Sequence, residues 1–236
     1  MMSKRAVILA GGKGTRLKPY TMTLPKPLVP LGDKPILELI LLQLKSHGFN
    51  HVTITVNHMA EIIKAFFGDG TKWGIKIDYT MEDKALSTMG PLTLVEDLPK
   101  NFLVMNGDVL TDLNFSEFYD NHVNTESVFT IASHRRSERI DYGLLHHNDS
   151  GKLVKFEEKP SYEFLVSMGV YMVNKEVMEY IPKDTFFGFD HLMYKLLEVN
   201  NPATVYEYGG FWLDIGRPSD YELATQKVND PNFKWV

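Results

Sequence analysis

The chain has 236 residues, 44% apolar and 23% charged, a balance that lets a globular protein bury a sizeable core and excludes disordered, collagen-like and coiled-coil architectures. The 25 Lys and Arg against 30 Asp and Glu give a formal charge of −5, which argues against a protein that clamps nucleic-acid backbone. Cysteine is absent, which excludes disulfides, thiolate metal sites and a cysteine nucleophile.

The apolar run from Ala6 to Ala10 behind Lys4 and Arg5 is too short for a signal-peptide core. No stretch approaches the roughly 18 apolar residues needed to span a bilayer, so a soluble, cytoplasmic protein without a membrane partner is expected. In chain order, strands are predicted from Arg5 to Ala10, His51 to Val56, Lys76 to Tyr79 and Phe102 to Met105, interleaved with helices from Ile36 to His47, near Ala60 to Phe67 and near Pro91 to Leu98. A helix near Ser116 to Val123 and a strand from Ser127 to Ser133 follow. Gly143 to His147 and Lys152 to Glu157 flank Asn148-Asp149-Ser150-Gly151 and read as a hairpin. A strand near Val166 to Val173, helices near Glu176 to Ile181 and Phe189 to Val199, a strand from Ala203 to Tyr208 and a helix from Ser219 to Val228 complete the chain. The βα alternation predicts an α/β fold: one Rossmann-like, mixed, mostly parallel sheet with helices on both faces, the hairpin inserted on that sheet, and one domain over 1–236.

The first strand runs into Gly11-Gly12-Lys13-Gly14-Thr15-Arg16-Leu17. A glycine-rich turn at a strand's carboxyl end suits phosphate, because backbone N–H groups can approach its oxygens closely. It is not a P-loop, since no Gly-Lys-Ser/Thr closes the spacer, and Leu17 stands where a dinucleotide fingerprint needs its third glycine, which disfavours a nicotinamide oxidoreductase. Pro19, Pro25, Pro27, Pro30 and Pro35 prevent a long helix from starting at the turn. They also stiffen the backbone that carries Lys26, so that Lys26 and Arg16 are two positioned cations beside a glycine loop. Taken together, Gly11 to Thr21 followed by Pro25-Lys26-Pro27-Leu28 resembles the signature of the sugar-1-phosphate nucleotidyltransferases, and the likeness runs from Ala6 to about Ala224.

That resemblance implies an enzyme in which a sugar phosphate attacks the α-phosphorus of an NTP and pyrophosphate leaves, with catalysis resting on alignment and charge neutralisation. It assigns Arg16 and Lys26 to catalysis, Arg16 holding pyrophosphate and Lys26 the reacting phosphates. Leu9, Ala10, Gly11, Gly12, Gly14, Thr15, Ser87, Thr88, Gly90, Asn106 and Gly107 fall to the nucleotide. Asp108 and Asp214 each end an apolar run, and the family pattern has such a pair hold Mg²⁺, a cation for which two carboxylates with phosphate oxygens and water suffice. Gly143, Glu158, Lys159, Ser167 and Gly169 resemble the sugar-phosphate half of the site.

Glu82 falls where the family reads the base. A carboxylate can accept from both N1–H and the exocyclic amine of guanine, whereas uracil and thymine offer one imide N–H, so GTP is favoured over dTTP, UTP or CTP. Leu86-Ser87-Thr88-Met89-Gly90-Pro91-Leu92 looks like a stretch of the mannose-1-phosphate guanylyltransferases, with Ser87 and Met89 as departures, and Ser167-Met168-Gly169 departs from their sugar-binding Asn-Ala-Gly. Phe211 to Tyr221 is similar to guanylyltransferases of lipopolysaccharide or capsule pathways, which include heptose and amino-sugar acceptors. The sequence ends soon after Tyr221, so the C-terminal β-helix of longer relatives is expected to be absent. Phe186, Phe187 and Phe189 read as core or as a subunit contact, leaving a homo-oligomer open, and a catalytically silent nucleotide-sugar sensor is the rival of another class.

Overall fold

A computed structural model describes residues 4–230. Its strands are β1 (Lys4–Leu9), the two-residue β2 (Pro30–Leu31) and β3 (Lys34–Pro35), β4 (Phe49–Val56), β5 (Lys76–Met81), β6 (Asn101–Asn106), β7 (Val109–Thr111), β8 (Phe129–Arg139), β9 (Gly143–His147), β10 (Leu153–Glu158), β11 (Ser161–Asn174), β12 (Thr204–Tyr208) and β13 (Trp212–Asp214). The helices are α1 (Ile36–Ser46), α2 (Ala60–Phe67), α3 (Phe115–Asn124), α4 (Phe189–Glu198) and α5 (Pro218–Val228). The outer parts of the expected 1–236 domain, residues 1–3 and 231–236, lie outside the described residues.

Seven strands form the central sheet in the order β12-β8-β11-β6-β1-β4-β5. β11 runs antiparallel to β6 and β8, and every other pairing in the sheet is parallel, the mixed, mostly parallel arrangement expected. Side chains alternate between two cores, as the two-residue period of a strand requires. Ala6 and Ile8 of β1 join Val52, Ile54, Leu103 and Met105 on one face, where α1, α2 and α3 supply Ile40, Ile63 and Phe118. Val7 joins Val104, Phe129 and Val173 on the other, covered by Leu192 and Leu196 of α4. With both faces covered, the central strands β1 and β6 read as unbroken apolar runs, which is why their expected bounds fall within a residue of those observed. Phe187 and Phe189 pack against this second core, while Phe186 is exposed.

Three expectations need correction. The helix expected near Pro91 to Leu98 is a 3-10 turn over Gly90–Leu94: Asp97 turns left-handed at φ 52, and Leu98 precedes a proline that disfavours helix. The helix expected from Glu176 to Ile181 is also a 3-10 turn, Lys175–Tyr180, because Ile181 is drawn into extended backbone before Pro182. The hairpin forms, but β9 and β10 pair only with each other rather than on the central sheet. The reason lies in β8 and β11, which run past the sheet as a paired arm of largely exposed residues and carry the hairpin beyond its edge. Among the described residues no helix is long and apolar enough to cross a membrane.

His122 on α3 is buried, with Nδ1 2.7 Å from the Thr130 hydroxyl and Nε2 unpartnered. Burial lowers its pKa from 6.5 to about 4. The folded protein therefore keeps the ring neutral where the unfolded chain would protonate it, so stability is retained above pH 6.5 and is lost as pH falls towards 4. Urea unfolding of the wild type should lose about 2 kcal/mol between pH 7 and pH 5, a loss absent from His122→Gln.

Candidate active site

The order of the central sheet reverses at β1. The chain moves outward through β4 and β5 on one side, then returns to lay β6 on the other. In open α/β sheets the crevice beyond the carboxyl ends of strands at such a point receives ligands. Parallel register lines up Leu9, Thr55 and Asn106 at that edge. Above them is a cleft of 430 Å³ lined by Leu9, Gly11, Gly12, Lys13, Thr55, Asn57, Glu82, Ser87, Thr88, Asn106 and Asp108. Ala10 and Gly107 lie just beneath, their amides already donating to Thr55 O and Leu9 O, so those two N–H groups are used by neighbouring strands.

Glu82 is buried beside the glycine turn. A Cβ on Gly11 would collide with its Oε1, which is a direct steric reason for glycine there. Burial pushes the Glu82 carboxyl above the usual range, opposed by the Leu86 amide that donates to Oε2 at 3.4 Å. The segment after Glu82 is held from behind by the approach to α4. Phe187 donates to Leu86 O at 3.0 Å, its carbonyl accepts from Met89 and Gly90 at 3.0 and 2.9 Å, and Phe189 N donates to Thr88 Oγ1 at 2.8 Å. Gly188, the N-cap of α4, has no side chain to cap with, and Thr88 supplies a cap oxygen from across the chain. Gly90 packs against Thr185 O rather than lining the cleft.

Gly14 turns left-handed at φ 61 and its carbonyl accepts from Thr21 Oγ1 at 2.7 Å, after which Thr15 to Leu17 form a single 3-10 turn that buries Leu17 and leaves Arg16 exposed. Lys26 opens the next 3-10 turn and its ammonium pairs with Asp108 Oδ2. The other carboxylate oxygen, Oδ1, is buried without a protein partner. Asp214 is brought alongside by the short β7–β13 ladder, in which Asp214 pairs with Val109 and Ile215 N donates to Asp108 O at 3.0 Å. Although Asp214 faces the open cleft, partial burial and then the Asp108 charge push its carboxyl above the usual range, with Lys26 and Arg16 pulling it down. Two carboxylates held together with one oxygen unsatisfied form an arrangement that a divalent cation would neutralise.

A second cleft, of 730 Å³, opens on the other side of this pair and is lined by Arg16, His134, Arg136, Phe164, Trp212, Asp214 and Arg217 among others. Its floor adjoins a bulge in β11, where pairing with β8 shifts between Ser167 and Tyr171 and Trp212 Nε1 donates to Met168 O at 2.9 Å. Gly169 in the bulge has φ 73, and a Cβ there would sit 2.6 Å from Asn106 Nδ2. Ser167 Oγ lies 3.2 Å from Tyr171 OH. Gly143 and Glu158 face each other across the hairpin, and Lys159 follows with φ 46; none of the three lines either cleft.

The structure thus gathers the expected residues Leu9, Gly11, Gly12, Glu82, Ser87, Thr88, Asn106 and Asp108 around one cleft, with Lys26 paired to Asp108, and places Arg16 and Asp214 in the lining of the second cleft; Gly14 and Thr15 line neither. Thr55 and Asn57 went unread, although their place at the end of an apolar strand beside β1 was the available signal. Arg217 and Trp212 also line the second cleft, where the sequence offered only a tryptophan in an apolar run and an exposed arginine.

An α/β sheet with a glycine turn and paired carboxylates at its switch point defines a class of phosphate-handling proteins. The chain belongs to the nucleotidyl transferase family, whose profile matches residues 5–230. It is 33% identical over 98% of its length to a UTP–glucose-1-phosphate uridylyltransferase of Synechocystis sp., and 32% identical over 94% to a mannose-1-phosphate guanyltransferase of Yarrowia lipolytica. It spans 65% and 63% of the lengths of those two relatives. The crystal structure of HddC from Yersinia pseudotuberculosis, complexed with GMP-PN, superposes with a TM-score of 0.74 at 26% identity, covering 95% of this chain and 99% of that one.

Because the atom that Cβ meets at Gly11 is the end of a flexible side chain, Gly11→Ala should fold while driving the Glu82 carboxyl outward. NMR titration of Glu82 should show its pKa falling back towards the ordinary carboxylate range, with Tm lowered by only a few degrees.

Proposed function

We propose that the chain transfers a nucleoside monophosphate, GMP by preference, from an NTP to a sugar 1-phosphate, releasing pyrophosphate and forming an NDP-sugar. The observation that carries this reading is the position of the carboxylate pair: Asp108 lines the cleft under the glycine turn and Asp214 lines the second cleft. A phosphoryl group bound between them faces a nucleotide site on one side and an acceptor site on the other.

In this reading the base lies against Glu82, whose carboxylate accepts from guanine N1–H and the exocyclic amine. The names of the Yarrowia relative and of the ligand in the HddC complex support guanine, whereas the Synechocystis relative's name supports UTP as the second candidate. Gly11, Gly12 and Lys13 cradle the triphosphate, and Arg16 takes the charge that collects on the departing pyrophosphate. Lys26, fixed between two prolines and paired with Asp108, is placed to hold the reacting phosphates in line. An oxygen of the sugar phosphate forms the new bond to the α-phosphorus as the bond to the β-phosphate oxygen breaks, and no net proton is exchanged. Asp108 and Asp214 would hold Mg²⁺, to which the buried, unpartnered Asp108 Oδ1 is suited; the ion would supply charge neutralisation to the reacting phosphates. The sugar would be met by Gly143, Glu158 and Lys159 from the hairpin and by Ser167 and Gly169 from the bulge. Its destination in lipopolysaccharide or capsule synthesis rests on the likeness of the Phe211 to Tyr221 stretch, and a cytoplasmic setting on the supply of nucleoside triphosphates there.

Pyrophosphate release measured over four NTPs against a panel of sugar 1-phosphates should be greatest for GTP; no turnover with any pair would rule the reading out. Glu82→Gln should lower the ratio of kcat/KM for GTP over UTP by about tenfold or more, the scale of one charge-assisted hydrogen bond. Asp108→Asn should reduce kcat by orders of magnitude at fixed Mg²⁺, while its folded signal by circular dichroism stays intact.

A further inference from the structure

The second cleft carries four arginines, but they are not equivalent. Arg135 is taken by Glu207 at 2.7 Å and Glu163 at 3.6 Å, and Arg136 by Glu138 at 2.8 Å. Lys26, the cation nearest the carboxylate pair, is taken by Asp108. Among the described residues, Arg16 and Arg217 are the arginines of this cleft that enter no ion pair. Arg16 springs from the glycine turn, but its guanidinium reaches into the second cleft beside Gly216. Arg217 stands three residues after Asp214, at the foot of α5.

The root of Arg217 is held firmly. Its own N–H and that of Gly216 donate to Asp220 Oδ2 at 2.8 and 3.1 Å, Pro218 follows, and Ile215 is tied to Asp108 O at 3.0 Å. A guanidinium on such a stem has its reach set by the same backbone that sets Asp214. Asp220 accepts from these two amides through one carboxylate oxygen, and the Arg217 guanidinium forms no ion pair with it.

A sugar 1-phosphate brings close to two negative charges into a site that must also take a triphosphate. In the reading above, Mg²⁺ would offset Asp108 and Asp214, Lys26 is shared between the reacting phosphates, and Lys13 and Arg16 take the triphosphate and the departing pyrophosphate. Among the described residues, Arg217 is then the arginine of the second cleft that has neither an ion pair nor a role in that reading, while the acceptor's phosphate has no cation of its own. Lys159, to which the resemblance assigns that phosphate, is exposed on the hairpin and lines neither cleft.

Resting on the nucleotidyltransferase reading above, we propose that Arg217 binds the phosphate of the acceptor, so that the second cleft selects for sugars phosphorylated at the attacking position. The planar fork of an arginine suits two phosphate oxygens at once, which a lysine matches only as a point charge.

The test uses the full chain with GTP and mannose 1-phosphate, or with whichever pair the substrate matrix shows to be best. Arg217→Gln should raise KM for the sugar 1-phosphate at least tenfold while KM for the NTP stays within twofold, and Arg217→Lys should recover part of the loss. Melting temperature and circular dichroism confirm that each variant is folded; if Arg217→Gln does not fold, Arg217→Lys alone decides by its acceptor KM. An unchanged acceptor KM, or a rise confined to the NTP, overturns the assignment of Arg217 while leaving the nucleotidyltransferase reading standing. A wild type that releases no pyrophosphate with any pair overturns that reading and this inference together.

Discussion

Two carboxylates forced together against their mutual repulsion organise this molecule. Asp108 leaves the end of β6 and Asp214 ends β13, and a ladder of only three residues a side clamps them into one place. Burial and like charge both work against ionisation of Asp214. Lys26 offsets part of that cost on one oxygen of Asp108 and leaves the other empty-handed. The proline-rich segment, which costs the chain a regular helix after β1, makes sense in this light: it places an ammonium that a flexible loop would hold less firmly.

The two clefts follow from the same point. The β1/β6 switch opens one of them, and the departure of β8 and β11 from the sheet opens the other. The glycine turn, Glu82 and the Ser87–Thr88 segment serve the first, but they are not an independent loop. Residues 86–90 are stitched to residues 187–189, so that wall of the cleft and the start of α4 form one unit. Thr88, read from the sequence as a ligand contact, has its hydroxyl committed to the amide of Phe189.

Much of the frame was legible because strands buried on both faces leave β-branched or apolar runs such as Val52 to Val56 and Phe102 to Met105. Asp108 and Asp214 were legible for a related reason, since each interrupts such a run at its carboxyl end. What could not be read depends on contacts distant in sequence. The β7–β13 ladder is too short for periodicity to register, and the extension of β8, His134 to Arg139, is built from charged residues that look like loop. The two short helices failed where a following proline overrode helical propensity at Leu98 and Ile181. The cap from Thr88 to α4 joins residues 101 apart and leaves no local trace.

The hairpin has one further implication. Strands β9 and β10 satisfy each other's backbone groups without a third strand, and most of their side chains face solvent. Substitutions there do not disturb the packing of the seven-stranded sheet, so this arm can change its chemistry at little cost to folding. On the proposed reading, the sheet edge assigned to the nucleotide is bound into the core, while the hairpin assigned to the sugar hangs outside it and is free to vary without repacking the sheet.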